Sequence, residues 1–178
     1  MYYEIFSSPV GPLLLQGVDS KLQQLSFLKG RNTKPFVDPA WIRRTDYFED
    51  IKEQLVEYFK GRRQEFEVEL DFGVPETTFS AQVWRELQQI PYGETRSYRD
   101  VAQNIGRAKA FRAVGQANHR NPIAIIVPCH RVIGSDGTLT GFGGGLDTKK
   151  YLLDMESRIS RAKTDAGNSD RVGHFVSL

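Results

Sequence analysis

Apolar side chains in the first third of the chain come in short clusters, at Tyr2 to Phe6, Leu13 to Val18 and Leu22 to Leu28, separated by Pro9-Val10-Gly11-Pro12 and by Asp19-Ser20. Short apolar runs broken by turn formers predict the strands of an antiparallel meander. Between Tyr47 and Phe59 the spacing changes. Tyr47, Phe48, Ile51, Leu55, Tyr58 and Phe59 recur every three or four residues and Gly61 follows, which predicts one amphipathic helix and its stop. Phe66, Val68, Leu70 and Phe72 then alternate with charged residues, the period of a half-buried strand, until Gly73 and Pro75 break it. A domain boundary is placed there, with a small α/β domain over 1–77.

Beyond it, Phe79, Val83, Trp84, Leu87 and Ile90 keep a helical period that Pro91-Tyr92-Gly93 ends. Ser97 to Asp100 has capping-box spacing, and Tyr98, Val101, Ala102 and Ile105 form the buried stripe of a second helix that stops at Gly106. Between Ala108 and His119 a third helix is expected. Ala110, Ala113, Val114 and Ala117 share one arc of it, and Lys109, Arg112, Gln116 and His119 share the opposite arc. Two short helices in tandem predict a helix-turn-helix. A small-residue face beside a basic face suits close approach to nucleic acid, although a basic helical face is ordinarily just solvated surface. A last helix is expected from about Thr148 to Ser160, leaving 161–178 as a C-terminal tail.

Composition narrows the field only slightly. The 178 residues are 39% hydrophobic and 26% charged, ordinary for a globular chain, and a formal charge of +2 permits a polyanion partner without demanding one. No stretch approaches the roughly 20 apolar residues that span a bilayer. One cysteine excludes an internal disulfide, which fits a reducing compartment, and the opening Met1 to Val10 has no charged leader or long apolar core; a cytoplasmic protein is expected.

The chemistry-bearing residues gather late in the chain. Ile123 to Val127 is a β-branched-rich run held between Pro122 and Pro128, predicted to be a buried strand that delivers Pro128-Cys129-His130-Arg131 at its end. A base or cation beside a thiol favours the nucleophilic thiolate. Neighbours on a strand point to opposite faces, however, so His130 serves Cys129 only if the chain turns there or a water bridges them. The default for a lone cysteine is an inert buried residue. Cys129, His119, His130 and His174 have no zinc-site spacing, so no metal is expected. Gly141-Phe142-Gly143-Gly144-Gly145 offers backbone that can approach a planar ligand and a phenyl ring that can stack on it. It lacks the lysine and hydroxyl residue of a phosphate loop, and no nucleotide cofactor is expected.

Taken together, Asn121-Pro122, the Pro128-Cys129-His130-Arg131-Val132-Ile133-Gly134 segment, Ile90-Pro91-Tyr92-Gly93-Glu94-Thr95, Ser97-Tyr98, Arg112-Ala113-Val114-Gly115, the glycine loop, and Leu152-Leu153 with Glu156 closely resemble the O6-alkylguanine-DNA alkyltransferase family. The resemblance is specific over about residues 78–157 and general in layout before that. It implies a ribonuclease-H-like α/β domain at 1–77 followed by a winged helix-turn-helix domain at 78–160. It also implies direct-reversal repair, in which an alkyl group passes irreversibly from O6-alkylguanine, and from O4-alkylthymine, in double-stranded DNA to Cys129.

In that family the histidine next to the cysteine acts as a base through a water, and a glutamate on the last helix orients it. Those residues are His130 and Glu156, with Asn121 as a hinge residue near the site. The resemblance gives Arg112 the space left by the flipped-out nucleotide and gives Tyr98 a phosphate contact and a hydrogen bond to the extruded base. Ala110, Ala113 and Gly115 become small positions of a helix in the minor groove, and Arg131, Val132, Phe142 and Gly143 further contacts to substrate or DNA. Three positions depart from the family pattern: Phe111 replaces a common alanine, Phe142 a frequent tyrosine, and Gly143 a serine found in some members. Residues 1–77 contain neither cysteine nor histidine, so the amino-terminal zinc of some relatives is not expected. A monomer without a small-molecule cofactor is implied. The rival readings are a sensor that binds alkylated DNA without reacting and a cysteine hydrolase, which would turn over many equivalents.

Overall fold

The computed structural model describes residues 1–29 and 37–172, with side chains placed as far as Asp165 outside that gap. The expected meander is present: β1 (Tyr2–Ser8), β2 (Gly11–Val18) and β3 (Lys21–Phe27) pair antiparallel. The β2–β3 turn is Asp19-Ser20, both with positive φ (49° and 64°), as a two-residue hairpin loop whose twist matches its strands requires. A short β4 (Ile42–Arg43) joins parallel to β1, giving the order β3-β2-β1-β4. The helix expected from Tyr47 divides into a 3₁₀ turn, Asp46–Phe48, and α1 (Glu49–Phe59). Phe48, Ile51, Leu55 and Tyr58 point into the core with Leu13, Leu15 and Leu22. Burial of this stripe, rather than intrinsic propensity, is what stabilises such a helix.

The strand expected over Phe66 to Phe72 is not formed as one. The alternation of half-buried and exposed residues is there, but pairing reduces to a parallel bridge at Leu70 on the β3 edge, where Leu22 donates to Glu69 O and Asp71 to Leu22 O. A few residues further along, Leu25 on the same edge pairs with Ile123, so two incoming segments share an edge too short for both to extend.

In the second half, α2 (Phe79–Gln88) precedes the two-residue β5 (Arg96–Ser97), α3 (Tyr98–Asn104) and α4 (Phe111–His119). The capping box forms as the spacing predicts, Asp100 N donating to Ser97 Oγ at 3.2 Å and Ser97 N to Asp100 Oδ2 at 2.7 Å. Trp84 Nε1 donates to Ala117 O at 2.8 Å and seats the end of α4 on α2. β5 pairs in parallel with β6 (Val132–Ile133), tying the start of α3 to the segment just after the cysteine. The architecture is thus a small α/β layer followed by a helix-turn-helix unit.

The last helix departs from its expected limits. α5 runs Leu146–Val172, so the segment set apart as a tail from residue 161 continues the helix, and residues 173–178, with His174, lie outside the described residues. Gly61 and Gly93 show how closely α5 packs against both halves. Both have positive φ, and a Cβ would come within 2.5 Å of Ile159 Cδ1 at Gly61 and 2.7 Å of Ser160 Cβ at Gly93. No described helix is long and apolar enough to cross a membrane.

Candidate active site

The segment leading to Cys129 is a tight turn, not the strand expected over Ile123 to Val127. Two hydrogen bonds anchor its start to β3, Leu25 N to Pro122 O and Ala124 N to Leu25 O, before the chain turns back to bridge Ala124 with Val127. Ile125 has φ 71°, a conformation unfavourable for a β-branched residue that persists only where its surroundings over-determine it. Asn121 supplies part of that constraint: its Oδ1 accepts from Ile123 N at 3.0 Å and its Nδ2 donates to Val127 O at 2.8 Å. Asn118, near the end of α4, donates to Cys129 O at 3.3 Å. The backbone of the cysteine is therefore fixed by the helix-turn-helix itself.

Cys129–Arg131 forms a single 3₁₀ turn, so Cys129 and His130 do not face opposite ways as strand neighbours would. His130 is fully buried and shares a hydrogen bond of 2.9 Å between Nε2 and Glu156 Oε1. A carboxylate only accepts, so Nε2 carries the proton and Nδ1 holds the lone pair; Nδ1 is buried without a hydrogen-bond partner. Burial lowers the basicity of the ring, partly offset by Glu156, and leaves His130 neutral at pH 7. Arg131 reaches the same carboxylate with two bonds, Nε to Oε2 at 2.8 Å and Nη2 to Oε1 at 3.0 Å, and a third goes from Nη1 to Ile90 O. Tyr58 OH adds 2.6 Å to Oε1 and Gly93 N 3.2 Å to Oε2. Burial by itself would raise the Glu156 pKa, but the hydrogen bonds and charge of His130 and Arg131 hold it far below the usual range, so it is ionised.

The thiol behaves otherwise than the Cys-His dipeptide suggests. Burial raises its pKa, offset in part by a hydrogen bond from Asn121 and by the charge of Lys149, so the resting group is a thiol rather than a thiolate. Lys149 is itself fully buried, with Nζ donating to Val132 O at 2.6 Å. The sequence reading missed it, although helical spacing puts it on the same stripe as Leu152 and Glu156.

Cys129 opens on a cavity of about 160 Å³. Asn121, Phe142 and Gly143, named from the sequence, line it together with Asn118, His119 and, from β3, Leu25, Ser26 and Phe27, which the sequence did not place there. Phe142 packs on Phe27 at 5.3 Å between ring centres, which couples the glycine loop to the N-terminal sheet. Arg131 and Val132, expected at the substrate, are instead buried behind the cavity: the guanidinium is committed to Glu156, and the Val132 carbonyl to Lys149. On α4, Arg112 and Ala113 are exposed, Ala110 and Gly115 are half-buried, and Tyr98 lies against Gly115 with its hydroxyl 2.6 Å from Thr140 Oγ1. Phe111 is a half-buried fringe residue under two guanidiniums, Arg99 at 5.5 Å and Arg112 at 5.8 Å. Among the described residues no cluster of His, Cys, Asp or Glu is placed to hold a metal ion.

A buried thiol at a cavity floor, an imidazole–carboxylate pair behind it and a helix-turn-helix beside it define a nucleophilic group-transfer protein. The family comparisons agree. Residues 1–72 match the model for the ribonuclease-like domain of 6-O-methylguanine DNA methyltransferase, and residues 78–158 match its DNA binding domain. The methylated-DNA–protein-cysteine methyltransferase of Methanosarcina acetivorans is 52% identical over 88% of this chain and 98% of its own length; that of Methanosarcina barkeri is 52% identical over 90% and 100%. The crystal structure of Mycobacterium tuberculosis OGT in complex with DNA superposes with a TM-score of 0.81 at 46% identity, covering 89% of this chain and 94% of that one. The chain belongs to the 6-O-methylguanine DNA methyltransferase family and is an enzyme of the methylated-DNA–protein-cysteine methyltransferase class.

Proposed function

We propose that this enzyme repairs double-stranded DNA by moving an alkyl group from O6-alkylguanine, and from O4-alkylthymine, onto Cys129. The observation that carries the reading is Cys129 at the floor of the cavity with the neighbouring His130 pinned by Glu156. His130 Nδ1, through one water, takes the thiol proton as Sγ attacks the alkyl carbon. The S–C bond forms while the C–O bond breaks, and the electron pair leaves with the base. Glu156 stabilises the imidazolium that results, and the buried ammonium of Lys149 favours the developing thiolate. The product is a thioether, which offers water no carbonyl, so each molecule acts once. No external cofactor is needed and one chain supplies every residue of the site, so a cytoplasmic monomer suffices.

Cys129 is only 5% exposed, which supports base flipping, because a base stacked in a duplex cannot bring its alkyl carbon to a buried sulfur. In this reading α4 enters the minor groove, with Ala110, Ala113 and Gly115 permitting close approach and Arg112 filling the vacated stack. Tyr98 contacts the flipped nucleotide, Phe142 and Gly143 wall the cavity, and Asn121 holds the turn under it. Residues 1–77 form one functional unit and 78–160 the other, with the N-terminal unit closing the cavity through β3. Arg131 and Val132 act through the scaffold rather than on DNA.

The test is mass spectrometry of wild type and Cys129→Ser after incubation with a duplex carrying one O6-methylguanine. One methyl per molecule on the Cys129 peptide, absent from the variant, is expected. Bound duplex that kept its methyl group would favour a non-reactive sensor, and many equivalents processed per molecule a hydrolase.

A further inference from the structure

The carboxylate of Glu156 receives donors from both halves of the molecule, and one of them has no place in the relay described above. Tyr58 lies on α1, 98 residues from Glu156 in sequence, and is fully buried. Its hydroxyl donates at 2.6 Å to Oε1, the same oxygen that holds His130 Nε2 at 2.9 Å and Arg131 Nη2 at 3.0 Å. A phenol that only needed a buried acceptor would be satisfied by any backbone carbonyl. Here it competes for the one oxygen that orients the histidine. Its ring is locked edge-on against Phe59 and Tyr92 and tilted against Phe66, at 5.3, 6.0 and 5.4 Å, so the hydroxyl has little freedom to turn elsewhere.

We propose that Tyr58 is a positioning residue for alkyl transfer, holding Glu156 Oε1 toward His130 from the N-terminal half and setting how strongly that oxygen attracts the imidazolium. The proposal rests on the reading of Cys129, His130 and Glu156 given above. It makes the N-terminal half part of the relay as well as a wall of the cavity.

The groups that face His130 are Glu156 and Lys149 from α5, and Cys129 and Arg131 from its own turn; Tyr58 from α1 and Tyr92 after α2 act on it through Glu156. Donation by Tyr58 draws negative charge away from Oε1. Without it the carboxylate stabilises the imidazolium more strongly, so His130 protonates at a higher pH and stops serving as a base earlier on acidification. The acid limb of the rate profile should therefore move up. The loosened carboxylate also holds the ring less well, which slows transfer at every pH.

Single-turnover methyl transfer from an O6-methylguanine duplex, followed across pH, tests this in wild type, Tyr58→Phe, Glu156→Gln and the double variant. Tyr58→Phe is expected to bind the duplex with unchanged Kd, to transfer about three- to tenfold more slowly at pH 7, and to show an acid limb raised by about half a unit. In the Glu156→Gln background the same change should add little, because the hydroxyl acts through the carboxylate. A Tyr58→Phe profile that overlays the wild type, or an equal loss in both backgrounds, overturns the proposal and leaves the relay standing. A Glu156→Gln protein as fast as wild type removes the relay and the proposal together. If Tyr58→Phe does not fold, 3-fluorotyrosine at position 58 keeps the ring and strengthens the donor. The acid limb should then move down, and an unmoved limb overturns the proposal.

Discussion

Two charged regions of this molecule lie close together and obey different physics. Behind the cavity, His130, Arg131, Lys149 and Glu156 are almost completely withdrawn from water, and every one of their protonated nitrogens that matters has a protein acceptor. On α4 and its approach, Arg107, Lys109, Arg112 and His119 stand in solvent. The buried charges of Arg131, Lys149 and Glu156 are expensive to place, so they and the neutral His130 hold a fixed geometry and their protonation states are set by one another. The exposed charges of Arg107, Lys109 and Arg112 cost little, are screened by salt and remain free to meet a polyanion. On the proposed reading, chemistry and recognition divide along that line: the buried set would prepare one sulfur, and the exposed set would meet the DNA backbone whatever its sequence.

Removing a member of the buried set should have the largest effect. Glu156→Ala leaves Arg131 as an uncompensated buried cation, and a loss of about 3 to 5 kcal/mol in urea unfolding is expected. A loss below about 1 kcal/mol, the ordinary result for a surface pair, would erase the distinction between the two regions.

Acidification probes the same contrast without mutation. His130 has its folded pKa lowered by burial, so between that value and its unfolded value near 6.5 the unfolded chain binds the extra proton, and stability falls as pH drops below about 6.5. Glu156 is also depressed in the folded state. Its contribution is complete above the unfolded carboxylate range and is lost as pH falls through and below about 4. Two successive declines in denaturant midpoint are expected, and Glu156→Gln should make the lower one shallower, leaving the part that Glu4, Asp46, Asp71, Asp100 and Asp136, also depressed in the folded state, contribute. A midpoint flat from pH 7 to pH 5 would contradict a buried neutral His130.

Alkylation adds bulk beside the buried set. The S-methyl group must fit on a cysteine that is only 5% exposed, and a loss of about 1 to 3 kcal/mol relative to the unreacted protein is expected from overpacking. Thermal unfolding before and after stoichiometric reaction measures it, and an unchanged Tm would mean that the cavity takes up the methyl group without strain.

The exposed set should give the smallest stability effect and a separate functional one. Arg112→Ala is expected to change unfolding by no more than about 0.5 kcal/mol while slowing transfer from a duplex about tenfold, the equivalent of about 1.4 kcal/mol in the barrier. If transfer from a single-stranded oligonucleotide slowed equally, Arg112 would have no specific part in base flipping.

Local order accounts for most of what the sequence revealed. The Asp19-Ser20 hairpin, the Ser97 capping box and the stripes of α1, α2 and α3 depend on residues within a few positions of each other, and each is found where its spacing puts it. The same locality made Cys129, His130 and the glycine loop visible as a group. Where edges are shared the reading failed, at Phe66 to Phe72 and at Ile123 to Val127, because the β-period says that a segment can pair but not how much of a neighbouring strand is free.

Sequence by itself determined the hairpin, the existence of each helix though not where the last one ends, the one nucleophile, its histidine and the basic face of α4. Only the tertiary structure decided the protonation states and the company those residues keep: that the cysteine rests as a thiol, that Arg131 turns inward to Glu156, that Lys149 is buried, and that Tyr58 and β3 reach the site from the other half. Periodicity reports which face of an element is covered. Desolvation and hydrogen-bond partnership depend on atoms brought together across nearly a hundred residues, and those distances exist only once the chain has folded.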